Sequence, residues 1–282
     1  MNEVMEQIRG RKSVRVFEDK PITEEIKEEI IRAAMEAPTA GAMMLYSILN
    51  ITEQELKDKL AVICDNQPFI AKAPMVLIFL ADYQRWYDAF CYEDCNPRTP
   101  GEGDILLAQA DAIIAAQNTV VAAQSFGIGS CYIGDIIEHC ETVRELLELP
   151  DYVMPAAMLV YGYPTESQME RKKPVRFEKE FIVFENRYRR LQKEDHDRMH
   201  QIRHEKAGLP DRNMKEYLQA FCNRKYMSAF CHEMNRSATE YLNNFRTRWI
   251  MIPMISAGTM ILLRNRRNFD TINAMTMSLR KE

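Results

Sequence analysis

From Asp104 to Phe126 the chain is rich in alanine and apolar on nearly every side. A helix that is hydrophobic all round must be covered all round, so it belongs at the centre of a fold or in an interface. The rest of the composition can supply that cover. Hydrophobic residues are 46% of the 282 and charged residues 28%, with only 10 Gly and 12 Pro. That balance excludes collagen-like, low-complexity and wholly disordered chains, and the length allows one large or two small domains. No stretch is expected to reach the ~18 apolar residues of a membrane span. Trp249 to Leu263 is broken by Pro253, Ser256, Gly258 and Thr259, and Met1 to Arg15 lacks the hydrophobic block of a secretory signal. The expectation is a soluble, cytoplasmic protein with no membrane partner.

Around that segment, helices and strands alternate over the first 165 residues. Val4, Met5 and Ile8 make Met1–Arg9 a short amphipathic helix. Thr23 caps a second helix with the stripe Ile26, Ile30, Ala33 and Ala34, ended by Pro38. Leu45–Ile51 reads as a strand, and Thr52 as the cap of a helix carrying Leu56, Leu60 and Ile63. The unbroken run Met75–Ala81 predicts a strand buried on both faces. Asp82–Gly103, aromatic and closed by Asn96-Pro97-Arg98-Thr99-Pro100, reads as a loop that could form a lid. Beyond the apolar helix come a strand at Ile128–Ile133, a helix at Ile136–Leu147 and a strand at Ala156–Tyr161. Residues 187–248 read as two or three polar helices.

The seven cysteines are odd in number and scattered, which favours reduced thiols over a disulfide framework. Residues 1–186 hold 18 Lys+Arg against 31 Asp+Glu, and residues 187–282 hold 19 against 10. The basic part carries no nucleic-acid motif, so it is expected to pack against the acidic part rather than bind nucleic acid.

Several short motifs point to chemistry. Arg11-Lys-Ser-Val-Arg15 places cations and a hydroxyl in one turn, a grip suited to phosphate. The small residues of Ala37-Pro-Thr-Ala-Gly41 allow close backbone approach to a flat ligand. Gly127-Ile-Gly-Ser-Cys-Tyr-Ile-Gly134 has the wrong spacing for a dinucleotide fingerprint and precedes its strand, which argues against a Rossmann unit. His196, His200 and His204 share a helix face at metal-binding spacing, but their polar surroundings predict a solvated face and no metal.

Arg11-x-Ser13-x-Arg15-x-Phe17, Ala37–Gly41, Asn66-Gln67-Pro68-Phe69-Ile70-Ala71-Lys72-Ala73-Pro74, Gly127–Gly134 and Gly162-Tyr163-Pro164 occur in that order. Together they resemble the FMN-dependent nitroreductase family, over about residues 3–190. The resemblance implies an α+β fold, a central antiparallel or mixed sheet flanked by helices, over residues 1–190. Residues 191–282 would form a helical extension packed on the same domain or on a partner. It also implies a homodimer with FMN across the interface. NADH or NADPH would reduce the flavin, which then reduces a nitro, quinone or similar electrophile in alternating half-reactions.

Carried over residue by residue, Arg11, Lys12, Ser13 and Arg15 would hold the phosphate, ribityl chain and pyrimidine edge. Pro38, Thr39 and Ala40 would pass beside the isoalloxazine from the partner chain, and Gln67 would reach the flavin. Ile133, Gly134 and Asp135 would lie near N5, and Arg171 and Lys173 would close over the phosphate. At 42 the family's usual Asn is replaced by Ala42, and Met44-Leu-Tyr46 replaces the commoner Gln-Pro-Trp, so flavin affinity or redox tuning is expected to differ. No dedicated acid–base side chain is evident, as suits hydride chemistry carried by a cofactor. The alternatives are a flavin-binding protein without turnover, or a flavin enzyme of the same fold doing dehalogenation or flavin fragmentation.

Overall fold

The computed structural model describes residues 2–209, 213–246, 249–253 and 260–264. In chain order it runs α1 (Glu3–Gly10), α2 (Glu24–Met35), β1 (Tyr46–Asn50), α3 (Gln54–Ile63), α4 (Pro68–Ala71), β2 (Met75–Asp82), α5 (Gln84–Tyr92), α6 (Glu102–Ser125), β3 (Gly129–Ile133), α7 (Cys140–Leu146) and β4 (Val153–Gly162). Then come α8 (Glu166–Glu170), α9 (Lys193–Lys206), α10 (Met214–Phe221), α11 (Ala229–Asn243), β5 (Trp249–Pro253) and β6 (Met260–Arg264). The main sheet has the order β1-β2-β4-β3, and every pairing is antiparallel.

The apolar run at β2 is unbroken because both of its faces are covered. Leu77 and Phe79 point to α2 and α6, and pack with Ile30, Ala34, Ala112, Ala115 and Ala116. Val76, Ile78 and Leu80 point the other way, toward Leu60, Ile70 and Val143. α6 runs along the first face and buries Ile105, Ala108, Ala112, Ala115, Ala116, Val120 and Ala123. Contrary to expectation, α6 is long and apolar enough by composition alone to cross a membrane, with a mean hydropathy of 1.4. Its buried face lies on the sheet, as in a core helix, while Leu106, Leu107, Ile113 and Ile114 remain exposed.

Several elements depart from the sequence reading. Thr23 does cap α2, accepting from the Ile26 N–H. Thr52 caps nothing: Glu53 holds the N-cap position of α3 without a side-chain bond. The expected 136–147 helix is split, because His139 takes a left-handed conformation (φ 51°) between a 3₁₀ turn at Asp135–Ile137 and α7. The expected loop 82–103 contains α5, held by Tyr87 edge-on to Tyr152 and by the Trp86 indole donating to the Met43 carbonyl (2.7 Å).

The C-terminal segment is not only helical, since β5 and β6 pair as an antiparallel ribbon. Ser256, Gly258 and Thr259, and the end of the expected extension (265–282), lie outside the described residues. α11 is anchored in the core: Tyr241 and the following Phe245 are each 1% exposed and pack with Leu45, Ala81, Ile105 and Met154. The basic segment meets the acidic one through Arg198–Glu180 (3.0 Å), Lys206–Glu178 (2.6 Å), Arg236–Glu141 (2.8 Å) and Arg246–Glu102 (3.6 Å). Each of these exposed pairs contributes little alone.

Candidate functional site

The Arg11–Arg15 segment leaves α1 and lies along the edge of the sheet. Ser13 bridges Ser130 of β3, and the Val14 N–H donates to the Ser130 carbonyl (3.0 Å). Two glycines permit this approach. A Cβ at Gly129 would stand 2.5 Å from Val14 Cγ2, and one at Gly162 would stand 2.6 Å from the Phe17 ring. Both spacings are shorter than carbon contacts allow, so Gly129 and Gly162 set where the cations sit.

The second cationic segment folds back onto the first. Lys12 Nζ donates to the Arg171 carbonyl (2.6 Å) and to that of Met169, and the Arg171 guanidinium donates to the Ser13 carbonyl. Lys173 Nζ donates to the carbonyls of Arg9 (2.8 Å) and Ile8 (3.4 Å). Burial, followed by Arg176 and Arg11 nearby, lowers the pKa of the Lys173 ammonium. Burial raises that of the Cys131 thiol on β3, while Arg15 beside it acts in the opposite direction. Among the described residues, none of Arg11, Lys12, Arg15, Arg171 and Lys173 has a carboxylate partner, and Arg11 Nη1 is enclosed with no hydrogen-bond partner. Lys12, Arg171 and Lys173 bond neutral carbonyls beside Arg11 and Arg15, a gathering of cations suited to a polyvalent anion.

Next to this cluster, the Arg15 guanidinium lies 5.9 Å from the Phe69 ring. A groove of about 930 Å³ opens beside both, between Phe17–Ile22 and Pro68–Pro74. Gln67 Nε2 donates to Asp135 Oδ2 (2.9 Å) and to the Cys64 carbonyl (2.8 Å), which fixes the turn after Ile133 and Gly134. The structure therefore brings Arg11, Lys12, Ser13, Arg15, Arg171 and Lys173 together, and ties Gln67 to Asp135 close by.

Pro38, Thr39, Ala40 and Ala42 stand elsewhere. Their loop is built on Asp111, 3% exposed in the middle of α6. The Asp111 carboxylate accepts from the Thr39 hydroxyl, the Ala40 N–H (3.1 Å) and the Leu45 N–H (3.2 Å). Arg11 instead lines a small cavity with Gln117, Val120 and Gln124 of the same helix. At 1.5 Å per residue, the stretch Gln117–Gln124 that lines this cavity begins about 9 Å and ends about 20 Å along the axis from Asp111. The sequence reading missed Asp111. Its signal was a lone acid inside an apolar helix, which requires partners when buried.

Ala42 has a left-handed backbone (φ 57°), as does Met44 (φ 49°). Asn tolerates that region better than Ala. Ala42→Asn should therefore stabilise the protein by about 0.5–1 kcal/mol. The check is the Tm of the flavin-free protein, which should rise; an unchanged or lower Tm would contradict the strain at 42.

The expected solvated histidine face is also revised. His204 is 7% exposed with its ring 4.4 Å from that of Tyr217, and His200 stacks edge-on to Phe177 at 5.4 Å. Among the described residues, no three His, Cys, Asp or Glu are grouped to hold a metal.

Comparison with known proteins gives a consistent picture. A family model described as the nitroreductase family matches residues 8–163. The chain is 33% identical over 190 residues to an "FMN reductase (NADPH)" of Bacillus subtilis, covering 67% of this chain and 75% of that protein. It is 33% identical over 192 residues to an "oxygen-insensitive NADPH nitroreductase" of Salmonella typhimurium, covering 68% and 77%. Among solved structures, an NADPH:FMN oxidoreductase from Vibrio harveyi complexed with NAD⁺ superposes with a TM-score of 0.71 at 28% identity, covering 86% of this chain and 98% of the other. With the antiparallel sheet, the central helix and the motif order all agreeing, this chain belongs to the nitroreductase family.

Proposed function

We propose that the protein is an NAD(P)H-dependent oxidoreductase that binds FMN and passes electrons to a nitro compound, quinone or similar small electrophile in alternating half-reactions. One observation carries the cofactor assignment: Arg11, Lys12, Arg15, Arg171 and Lys173 converge with no carboxylate among them, and Arg11 Nη1 is buried without a partner. These residues fit a phosphate monoester. They would exchange carbonyl contacts for charge-assisted bonds to its oxygens, with the Ser13 hydroxyl as a further donor. Gln67 and Asp135, already bonded to each other, hold the turn through Ile133 and Gly134 that would face the flavin ring. Bound FMN supplies hydride acceptance and donation, so the chain's task is to bind, orient and shield.

The loop carrying Pro38, Thr39, Ala40 and Ala42 is assigned to the FMN of a partner copy, as the family resemblance implies; its anchor Asp111 is more than one helical turn along α6 from the cavity of its own Arg11. A homodimer also covers the exposed Leu106, Leu107, Ile113 and Ile114 of α6 and the exposed Val4, Met5 and Ile8 of α1. Light scattering at micromolar concentration should return a dimer, and a monomer would contradict this assembly.

Fluorescence titration of the flavin-free protein tests the cofactor assignment. FMN should bind at least ~10-fold more tightly than riboflavin, since each charge-assisted bond contributes ~1.5–3 kcal/mol. Equal affinities would mean that the cations serve another ligand.

A further inference from the structure

The turn that follows β3 ends in a residue used by none of the roles above. Glu138 is 5% exposed, and its Oε1 is enclosed with no hydrogen-bond partner. The charges that bear on it are all negative: Asp135 on the same turn, Asp65 after α3 and Glu233 on α11. The remaining ionisable groups of the surrounding elements do not offset them. Arg236 on α11 is taken up by Glu141 (2.8 Å) and Glu233 (2.8 Å), and Arg144 on α7 by Asp151 (3.1 Å). The His139 backbone N–H donates to Glu233 (3.1 Å), and its ring nitrogen Nδ1 faces the same carboxylate at 3.8 Å; on α3, Lys57 donates to the Ala73 carbonyl (3.2 Å) and Lys59 pairs with Glu55 (2.7 Å). The Cys64 and Cys140 thiols have raised pKa values through burial, so they stay neutral. Tyr161, the ionisable side chain of β4, is bonded to Thr119 on the opposite face of the sheet.

We propose that Glu138 is a positioning residue that keeps the Gly134–Glu138 turn closed by carrying a proton, and that loss of this proton opens the turn and weakens FMN binding. The inference rests on the flavin reading above. Burial first, and then the neighbouring Asp135, Asp65 and Glu233, push the Glu138 carboxyl up to about 7. Once ionised, Glu138 adds a negative charge next to Asp135 and Asp65, and among the described residues no cation pairs with it. The strain falls on the Gln67–Asp135 bond (2.9 Å), which joins two residues assigned to the flavin. The sign for stability follows from linkage. A carboxyl whose pKa is raised from 4.5 to about 7 on folding binds more protons in the native state across that window. Its contribution is therefore lost as pH rises from 4.5 to about 7.

The test uses Glu138→Gln, which keeps the shape and the neutral charge of the protonated acid. FMN affinity is measured by fluorescence titration at pH 6 and pH 8 for both proteins, with the protonated-carboxyl infrared band recorded at pH 6. The flavin phosphate gains charge near pH ~6, and this affects both proteins alike, so only their ratio is read. The variant should match the wild type at pH 6, and the wild type should be about 10-fold weaker relative to it at pH 8, following its protonated fraction. The wild type should also show a carboxyl band that the variant lacks. Superimposable pH profiles with FMN bound, or no such band, would overturn the inference while leaving the flavin reading intact. Failure of both proteins to bind FMN at pH 6 would overturn the flavin reading and the inference with it.

Discussion

Replacing Arg11 and Arg171 together by alanine should weaken FMN binding by about 10²–10⁴-fold, from two charge-assisted bonds of ~1.5–3 kcal/mol each. Riboflavin affinity should stay within a few-fold, because it has no phosphate for these residues to meet. The contrast separates a lost anion grip from a damaged fold, which would weaken both ligands. Among the described residues neither guanidinium has a carboxylate partner, so their removal strands no buried anion. Isothermal titration with the two flavins decides the matter. A parallel loss of FMN and riboflavin would contradict the assignment.

Asp111→Ala should lower stability by about 3–5 kcal/mol, because several buried donors would be left without an acceptor at ~1–3 kcal/mol each. The Ala40 and Leu45 N–H groups and the Thr39 hydroxyl would all lose their acceptor. For a chain of this size the loss amounts to about 10 °C or more in Tm. Asp111→Asn should fall between the two, since its amide keeps one acceptor oxygen but turns an NH₂ toward the same donors. The loop carrying Pro38, Thr39, Ala40 and Ala42 would loosen as well, so the electron-transfer activity should fall with stability. A Tm for Asp111→Ala within ~1 °C of the wild type would show that the loop holds itself.

The parts of the molecule that local chemistry specifies were readable in the sequence. Thr23 marks the start of α2 because its hydroxyl serves the helix's own N–H groups. Met75–Ala81 marks the central strand because both of its faces are covered. The phosphate-binding candidates were readable as types and spacing, and the structure adds that Arg171 and Lys173 fold back on Arg9–Ser13.

What the sequence concealed depends on distant partners. α5 is held by Trp86 on Met43 and Tyr87 on Tyr152, contacts that no local pattern announces in a stretch rich in aromatics and ended by prolines. His139 breaks a helix-like pattern because a non-glycine residue adopts a left-handed backbone, which hydrophobic periodicity does not register. Asp111 was hidden by the apolar character of α6, and its partners come from a loop some seventy residues earlier (separations of 66 to 72). Glu138 read as part of a helix, while its buried, unpartnered oxygen arises from the meeting of α3, the 135–137 turn and α11.

On the reading proposed above, this chain uses FMN to carry electrons from a nicotinamide cofactor to a small electrophile. The most direct test is anaerobic: FMN-loaded protein is mixed with one equivalent of NADPH or NADH, and a quinone or nitroaromatic is added afterwards. The flavin's visible absorption should bleach on the first addition and return on the second. FMN that stays oxidised with both nicotinamide cofactors, while remaining tightly bound, would contradict that reading and identify the protein as a flavin-binding protein without turnover.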